Sequence, residues 1–213
     1  MAIAFDTVVS GTSTTATSNT YSHTCSGSDR ILFVWINASG GDLITGTTYN
    51  GVSMTLINKI KNWWATSWNY LYALQAPATG ANNVVISASV STGIFATSTS
   101  YTWVTQSVTM DATATSSISA ATLSFSTNLT TIADNCWTLC FTVNDQNVFS
   151  TQSDTIRGTN NGANIFDSNA PKTPAWSKTM TQTVAGVGNG AVIMVSFSPI
   201  VTVSTFIPKI TFL

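Results

Sequence analysis

Residues 47–57 read TTYNGVSMTLI, and this stretch decides the class of fold. Asn50 and Gly51 lie between two strand-forming segments, and Asn-Gly is the pair that a two-residue type I′ turn favours, because both of its central residues need a positive φ. The stretch therefore predicts a β-hairpin. Just before it, ILFVWIN at residues 31–37 is apolar throughout, which is typical of a central strand covered on both faces.

The composition of the whole chain extends this prediction. Charged residues make up 7% of the 213 residues, whereas about a quarter is usual in a globular protein. Their place is taken by 27 Ser and 37 Thr, and Glu is absent. Helices expose Glu, Lys, Arg and Gln, whereas β-branched Thr suits the outer face of a sheet. The composition therefore indicates an all-β protein.

Short apolar segments with turn residues between them continue along the chain, and no segment has helical periodicity. We predict a two-sheet antiparallel β-sandwich of jelly-roll type with an extended C-terminal strand. Residues 1–199 are expected to form a single domain. Residues 144–181 are rich in Asn, Asp, Gly and Ser, and are expected to form long loops with one or two short strands.

Residues 200–213 are predicted to be a C-terminal extension that exchanges a strand with a neighbouring subunit. Pro199 follows the last core strand, and an alternating apolar segment comes after it. Pro208 removes a backbone donor, which suits an edge position. A second segment that could reach a neighbour is 2–9. The predicted interface residues are Val201, Val203, Phe206, Ile210 and Phe212.

The charges of the chain also limit its partners. The net charge is −1 and no basic run occurs, so a nucleic-acid partner is not expected. The longest apolar run, 31–36, is too short to span a membrane, and the first residues do not resemble a secretory signal. Few charges of either sign favour a protein packed into an assembly over a free monomer.

Catalysis is not expected, and neither is a cofactor. Acid–base chemistry needs paired titratable groups, and His23 is the only histidine. It stands in a polar, loop-like stretch beside Cys25, so we interpret the pair as a surface histidine and an unreactive thiol. The eight Asp lie mostly beside turn residues, which explains them without a two-carboxylate site.

Three cysteines do not make a disulfide framework. Cys136 and Cys140 lie four residues apart on one predicted strand, a separation of about 13 Å that a disulfide cannot span. Cys25, Cys136 and Cys140 are therefore expected to be thiols. No metal site is expected, although Asp145 or Asp154 with Asp167 could share a calcium-binding loop.

Aromatic residues are the candidates for ligand binding. Trp63, Trp64 and Trp68 cluster in KNWWATSWNY, and sugars stack on exposed Trp rings. Two adjacent residues on a strand face opposite sides, so either Trp63 or Trp64 could be exposed. The sequence leaves two interpretations open, which are packing in the core or an interface, and a glycan-binding surface.

Residues 30–90 resemble a module common in bacterial surface proteins and in tailed-bacteriophage virion proteins. The module has a Y-x-G-x-x-[ML]-T hairpin, an aromatic strand ending in Y-x-L-x-x-P, and a G-x-x-x-V-V strand. The resemblance implies a jelly-roll-like sandwich and brings no catalytic residues. The matching residues are Tyr49, Gly51, Met54, Thr55, Tyr72, Leu74, Pro77, Gly80, Val84 and Val85.

These observations favour a structural component of a virus particle, such as a bacteriophage capsid decoration, minor capsid, fibre or tail protein. A particle component is made inside a cell and works outside it, which reconciles the hydroxyl-rich surface with the absence of a visible export signal. Its expected partners are other copies of itself and other virion proteins. The alternative is an extracellular carbohydrate-binding or adhesin module, with glycans as partners. A hydrolase or lyase on the same scaffold is a third, weaker alternative.

Overall fold

The computed structural model describes residues 1–11, 13–62, 66–106, 110–144, 149–160 and 162–201. The regular elements in this part of the chain are all β-strands, so the all-β prediction is confirmed. Their bounds are β1 (Ala4–Ser10), β2 (Thr14–Cys25), β3 (Ile31–Ala38), β4 (Ile44–Tyr49), β5 (Val52–Ser53), β6 (Thr55–Lys61), β7 (Trp68–Gln75), β8 (Gly80–Thr102), β9 (Ala112–Thr130), β10 (Trp137–Asn144), β11 (Phe149–Gln152), β12 (Thr155–Asn160), β13 (Ala163–Asp167) and β14 (Ser177–Phe197).

Two antiparallel sheets pack against each other and form a β-sandwich, as the sequence predicts. The first sheet has the order β5-β4-β8-β3-β7-β6, with β1 and β2 paired to β8. The second has the order β11-β14-β10-β13-β12, with β9 paired to β14. The central core lies between the sheets, where Phe33 and Trp35 of β3 pack with Leu139 and Phe141 of β10.

The two segments that decided the fold class have the predicted structures. Asn50 and Gly51 have φ values of 50° and 74°, and they join β4 to β5 in a tight hairpin. Strand β3 lies between β7 and β8, and every residue from Ile31 to Ile36 is buried. Both faces of β3 are therefore covered, which explains why the run has no polar alternation.

Strand β8 covers the second face of β3 because it bends. The first half of β8 pairs with β4 and most of β2, whereas its second half pairs with β1 and β3. His23 on β2 is opposite Asn82 in the register, yet its ring contacts Ser98 and Ser100 further along β8. The apolar cluster inside this bend includes Leu32, Val34, Ile36, Tyr49, Val84 and Ile86.

Strand β14 bends in the same way over the second sheet. Gln182, in its first half, is opposite Phe125 of β9 in the register, yet its Oε1 accepts a hydrogen bond of 2.8 Å from Asn164 of β13. Phe125 packs in one cluster with Cys140 of β10. Each sheet thus folds over on itself, and each fold encloses its own apolar cluster.

The two sheets share one connectivity, so the chain contains a structural repeat. The first repeat comprises residues 4–102 and the second comprises residues 112–197. Each begins with a strand that pairs with a long bent strand, and each ends with that bent strand. Strands β3, β4, β6, β7 and β8 correspond to β10, β11, β12, β13 and β14. Strand β9 pairs with both halves of β14, and thereby takes the places of both β1 and β2.

The pairing registers make the correspondence exact to the residue along the paired strands. Ile31 pairs with Tyr101 in the first repeat, and Trp137 pairs with Phe197 at the equivalent position of the second. The following residues of these strands pair in the same order in both repeats. The outer layers agree as well. Equivalent pairs there are His23 with Asn82 and Leu129 with Lys178.

A carboxylate joins the layers of the first repeat. Asp6, at a bulge in β1, accepts hydrogen bonds from the backbone N–H and the hydroxyl of Ser26, which follows β2. It also accepts a hydrogen bond of 2.8 Å from Ser100 of β8. Because β1, the end of β2 and β8 belong to different parts of the bent sheet, one side chain holds three segments together.

The second repeat has the same carboxylate contact at the equivalent place. Asp111, just before β9, accepts hydrogen bonds from the backbone N–H groups of Ile132 and Ala133 at 2.9 and 2.7 Å. Ser196 of β14, the equivalent of Ser100, donates to it at 2.6 Å. We call this arrangement the Asp–Ser lock of each repeat.

A pseudo-two-fold relates the two repeats. The segments that follow β8 and β14 run antiparallel to each other, with Val104 opposite Pro199 and Ile200 N–H donating to the Trp103 carbonyl. Strand β1 contacts β12 on one side of the sandwich, and β9 contacts β6 on the other. Since β1 corresponds to the first half of β9 and β12 to β6, these two contacts are equivalent.

Two expectations from the sequence differ from the structure. The segment 144–181, expected as long loops with one or two short strands, contains β11, β12, β13 and the start of β14. Exposed Ser and Thr residues in β11, β12 and the start of β14 and the buried Asn164 in β13 weaken the apolar alternation that marks a strand. The segment 2–9, considered as a second arm toward a neighbour, includes β1, which pairs with β8 of its own chain.

Candidate assembly interface

The C-terminal interface residues begin where the described chain ends. Val201 is the most exposed large hydrophobic residue that the structure describes, with 84% of its surface accessible. The other four predicted residues lie outside the described part of the chain. They are Val203, Phe206, Ile210 and Phe212.

A cavity of about 580 Å³ opens beside Val201. Both ends of the described chain line it, because residues 1–3 form one wall and residues 198–201 form another. Trp137 and Ile3, both almost fully buried, also line it. We call it the terminal cavity. Its remaining walls come from Thr105, Ala133, Asp134, Asn135 and Pro171.

The pseudo-two-fold relates the terminal cavity to the corresponding end of the first repeat. In the first repeat, the segment after β8 continues as a linker toward β9, and Gln106 Nε2 donates to the Arg30 carbonyl, which covers that end of β3. The residue equivalent to Arg30 is Cys136, which precedes β10 between the cavity residues Asn135 and Trp137. At this end residues 1–3 and 198–201 line the cavity.

Exposed apolar side chains concentrate around the terminal cavity. The four most exposed large hydrophobic residues of the described chain are Val201, Ile132, Trp176 and Met1, at 84%, 77%, 64% and 63%. Met1 and Val201 line the cavity, and Ile132 adjoins the lining residue Ala133. Trp176 exchanges backbone and side-chain hydrogen bonds with Thr131, next to Ile132. Clustered apolar exposure marks interaction surfaces.

The proposed glycan surface is only partly described. Trp63 and Trp64 lie outside the described residues, and Trp68 is half-buried at the start of β7. Lys59 Nζ lies over the Trp68 ring, 5.5 Å from its centroid, and also pairs with Asp42. The Lys59 ammonium lowers the pKa of Asp42, chiefly by hydrogen bonding. A sugar stacking on this face of Trp68 would have to displace Lys59.

Amide side chains support the loop between β6 and β7. Asn37 Nδ2 donates to Asn69 Oδ1 at 3.0 Å, and Asn69 Nδ2 donates to Asn62 Oδ1 at 2.6 Å. Asn62 in turn donates to Ser67 Oγ at 2.8 Å. The chain of amides therefore runs from the middle of the sheet to both ends of the loop that carries Trp63 and Trp64.

His23 is not a surface histidine, and this corrects the interpretation from the sequence. It lies on β2 and is 1% exposed. Ser100 donates its hydroxyl proton to Asp6, so His23 must donate from Nε2 to Ser100, at 3.0 Å, and accept at Nδ1 from Ser98, at 2.8 Å. The stretch reads as a loop because its alternate buried positions are polar, and their partners are distant in sequence.

The arrangement around His23 differs from a catalytic triad. A triad places the imidazole between the hydroxyl and the carboxylate, whereas here Ser100 lies between His23 and Asp6. Burial lowers the pKa of His23 to about 4, despite the opposing effect of the Asp6 charge. The imidazole is therefore neutral at pH 7 and serves as a structural hydrogen-bonding group.

The three cysteine thiols also lie in buried positions that suit a structural role. Cys25, Cys136 and Cys140 are free and buried, as expected for thiols. Burial raises the pKa of Cys136 to about 12 and that of Cys140 well above its ordinary value. A thiolate is the reactive form, so these thiols are unreactive at neutral pH.

Asp167 is fully buried on β13 and connects the two sheets. Its carboxylate accepts two hydrogen bonds from Arg157 and one of 2.7 Å from Tyr101 of β8. Asp154 pairs with Lys178 instead, and Asp145 lies outside the described residues. In the described ranges, no three His, Cys, Asp or Glu side chains gather in a group that could hold a metal ion.

Comparison of the chain with protein-family models, with curated proteins and with solved structures finds no match. The part of the chain that the structure describes contains no helix that is long and apolar enough to cross a membrane. The functional conclusions therefore depend on the geometry of the chain itself.

Sequence reasoning missed the terminal cavity and its lining residues Ile3, Thr105 and Trp137. Each looks like an ordinary core or linker residue in its own segment. The repeat would have indicated the site, because a linker follows β8 and the tail follows β14 at equivalent places. The strand-forming segments 31–38 and 137–144, each with large apolar residues at alternate positions, are the trace of the repeat in the sequence.

Proposed function

We propose that this protein is a structural subunit of a bacteriophage particle and that it works through contacts between copies. The scarcity of charge suits a surface that is covered in an assembly. The side chains that could have suggested catalysis have structural partners, since His23 is enclosed by Ser98 and Ser100, and Asp167 by Arg157 and Tyr101.

One observation carries the proposal, namely that a place on β8 which the pseudo-two-fold assigns to a segment after β14 is already taken. The segment after β8 leads to the first half of β9, which pairs with β14. By the pseudo-two-fold, a segment after β14 would pair with β8 at the place of β1. Strand β1 already occupies that place. We infer that residues 202–213, an apolar segment with one charged side chain, serve a neighbouring copy.

The experiment compares the native mass of the full chain with that of a chain truncated after Val201. We expect the full chain to associate with rising concentration in light scattering, and the truncated chain to be a folded monomer. Ser204→Ala, which keeps the apolar tail residues, is the matched control and should associate like the full chain. Association of the truncated chain, or a full chain that stays monomeric, would contradict the proposal.

A carbohydrate-binding or adhesin function is the second candidate, and one comparison favours it. At the positions of Asn37 and Asn69 the second repeat has Val143 and Ala163. The scaffold therefore does not need buried amides at these positions, and the amides serve the loop before Trp68. Buried amides without such a role would only cost stability.

A glycan array tests this candidate with the full chain and with Trp63→Ala, Trp64→Ala and Trp68→Ala variants. Specific binding that the Trp variants lose would support it. Trp176→Ala, an exposed Trp outside the loop, is the control and should leave such binding intact. Absence of any specific glycan from the array, or binding that survives all three changes, would count against it.

A further inference from the structure

We propose that the terminal cavity of one copy receives Phe206 and its apolar neighbours from the C-terminal segment of a second copy. This inference rests on the proposed function and identifies the receiving surface. The cavity, at about 580 Å³, is large enough for several apolar side chains. Its deep wall is Trp137 and Ile3, and its rim carries the exposed Met1 and Val201.

The proposed occupant is the tail of a copy of this chain, because the apolar residues of the tail follow directly on Val201 at the cavity rim. Residues 202–213 contain Val203, Phe206, Ile207, Ile210 and Phe212 but a single charge, that of Lys209. The charged side chain that lines the cavity is Asp134. The tail therefore matches the cavity in apolar character.

We assign the occupant to a second copy because β1 already holds the place on β8 that the pseudo-two-fold gives to a segment after β14. Residues 201–207 read VTVSTFI, which is rich in β-branched residues and has no Gly, Pro, Asn or Asp for a turn. In a fully extended strand, at about 3.3 Å per residue, Phe206 would stand about 17 Å along the chain from Val201. The sequence thus predicts a tail long enough to reach a neighbouring copy.

The tail could instead add a strand to the layer of either repeat that faces the other repeat, but this is the weaker alternative. The edges of those layers already face each other, since β1 contacts β12 and β6 contacts β9. Ser10 Oγ donates to the Thr159 carbonyl on one side, and Ser117 Oγ donates to the Lys61 carbonyl on the other. Side chains of the tail can fill the cavity without pairing of the tail to a free strand edge.

The test mixes two variants, each with one half of the contact. A chain truncated after Val201 keeps the cavity and lacks the tail, whereas Thr105→Trp fills the cavity and keeps the tail. Ala133→Trp is a second cavity-filling variant, in case the first fails to fold. Val90→Trp, at an exposed position of β8, is the matched control and should associate like the unmodified chain.

We expect each variant alone to be monomeric, and the mixture to form one-to-one dimers that grow no further. Phe206→Asp in the cavity-filled partner should abolish these dimers. If both cavity-filled variants fold and associate like the full chain, the cavity is not the acceptor, while tail-mediated assembly stands. If the full chain is a monomer whose tail shields its own cavity, or if the truncated chain associates by itself, the proposed function fails together with this inference.

Discussion

The two repeats solve the same packing problem with different chemistry. On the inner face of its outer layer the first repeat has His23, against Ser98 and Ser100. At the equivalent position the second repeat has Leu129, in an apolar cluster with Met194, the equivalent of Ser98. The bent sheet therefore forms whether the side chains that fill the bend are polar or apolar.

What the repeats keep in common is more informative. Both retain the Asp–Ser lock, at Asp6 with Ser100 and at Asp111 with Ser196. Both also place large apolar side chains at the same positions of the shared core. We infer that the lock and the shared core define the fold, whereas the filling of each bend is free to vary.

The largest expected effect comes from the shared core. Trp35 and Phe141 occupy equivalent positions on β3 and β10, and both are almost fully buried. Trp35→Ala and Phe141→Ala should each lower the free energy of unfolding by about 3–5 kcal/mol. Chemical denaturation should show one transition in each variant, because both repeats share this core. Val90→Ala, at an exposed site, should change stability by less than about 0.5 kcal/mol.

Two separate transitions, with only one repeat destabilised, would break the comparison. The repeats would then be independent domains that merely touch.

The pH dependence of stability should distinguish the polar side chains inside the first bend from the apolar side chains inside the second. His23 has a pKa of about 4 in the folded chain and an ordinary value of 6.5, so the unfolded chain binds more protons between these pH values. The contribution is complete above about pH 6.5 and is lost as pH falls toward 4, by up to about 3 kcal/mol. His23→Leu with Ser98→Met copies the second repeat and should remove this dependence.

Urea unfolding between pH 5 and 7.5 measures the slope, and His23 is the only histidine that contributes to it. A double variant with the slope of the unmodified chain would show that His23 titrates normally in the folded state. The polar network would then be looser than its hydrogen bonds indicate.

The Asp–Ser locks should have smaller and equal effects. Asp6→Ala and Asp111→Ala each leave partially buried donors without an acceptor, so each should cost about 1–3 kcal/mol in urea unfolding. Lys59→Met removes an exposed ion pair with Asp42 and should cost less than about 1 kcal/mol. If only one lock variant is destabilised, the lock is a feature of one repeat and not of the shared fold.

Local patterns in the sequence predicted much of the fold. The Asn50-Gly51 turn and the position of β3 between two strands follow from turn chemistry and from uninterrupted burial. The bends of β8 and β14 do not, because a bent strand has the same alternation as a straight one. The burial of His23 could not be predicted either, since Ser98 and Ser100, which enclose it, are distant in the chain.

The repeat escaped detection in the sequence for a physical reason. Equivalent positions exchange polar for apolar residues, as His23 does with Leu129 and Asn37 with Val143. At such positions only burial and backbone pairing are shared, and these become visible in the folded chain. The terminal cavity depends on the repeat, so it was hidden for the same reason.

Hydrogen–deuterium exchange of the tail at two protein concentrations tests the central claim most directly, which is that residues 202–213 are surplus to one copy and used between copies. At low concentration, where the chain is a monomer, tail amides should exchange fast while β1 amides, paired to β8, stay protected. At high concentration the tail amides should become protected and β1 should not change. Equal tail protection at both concentrations, or loss of β1 protection on association, would contradict the account.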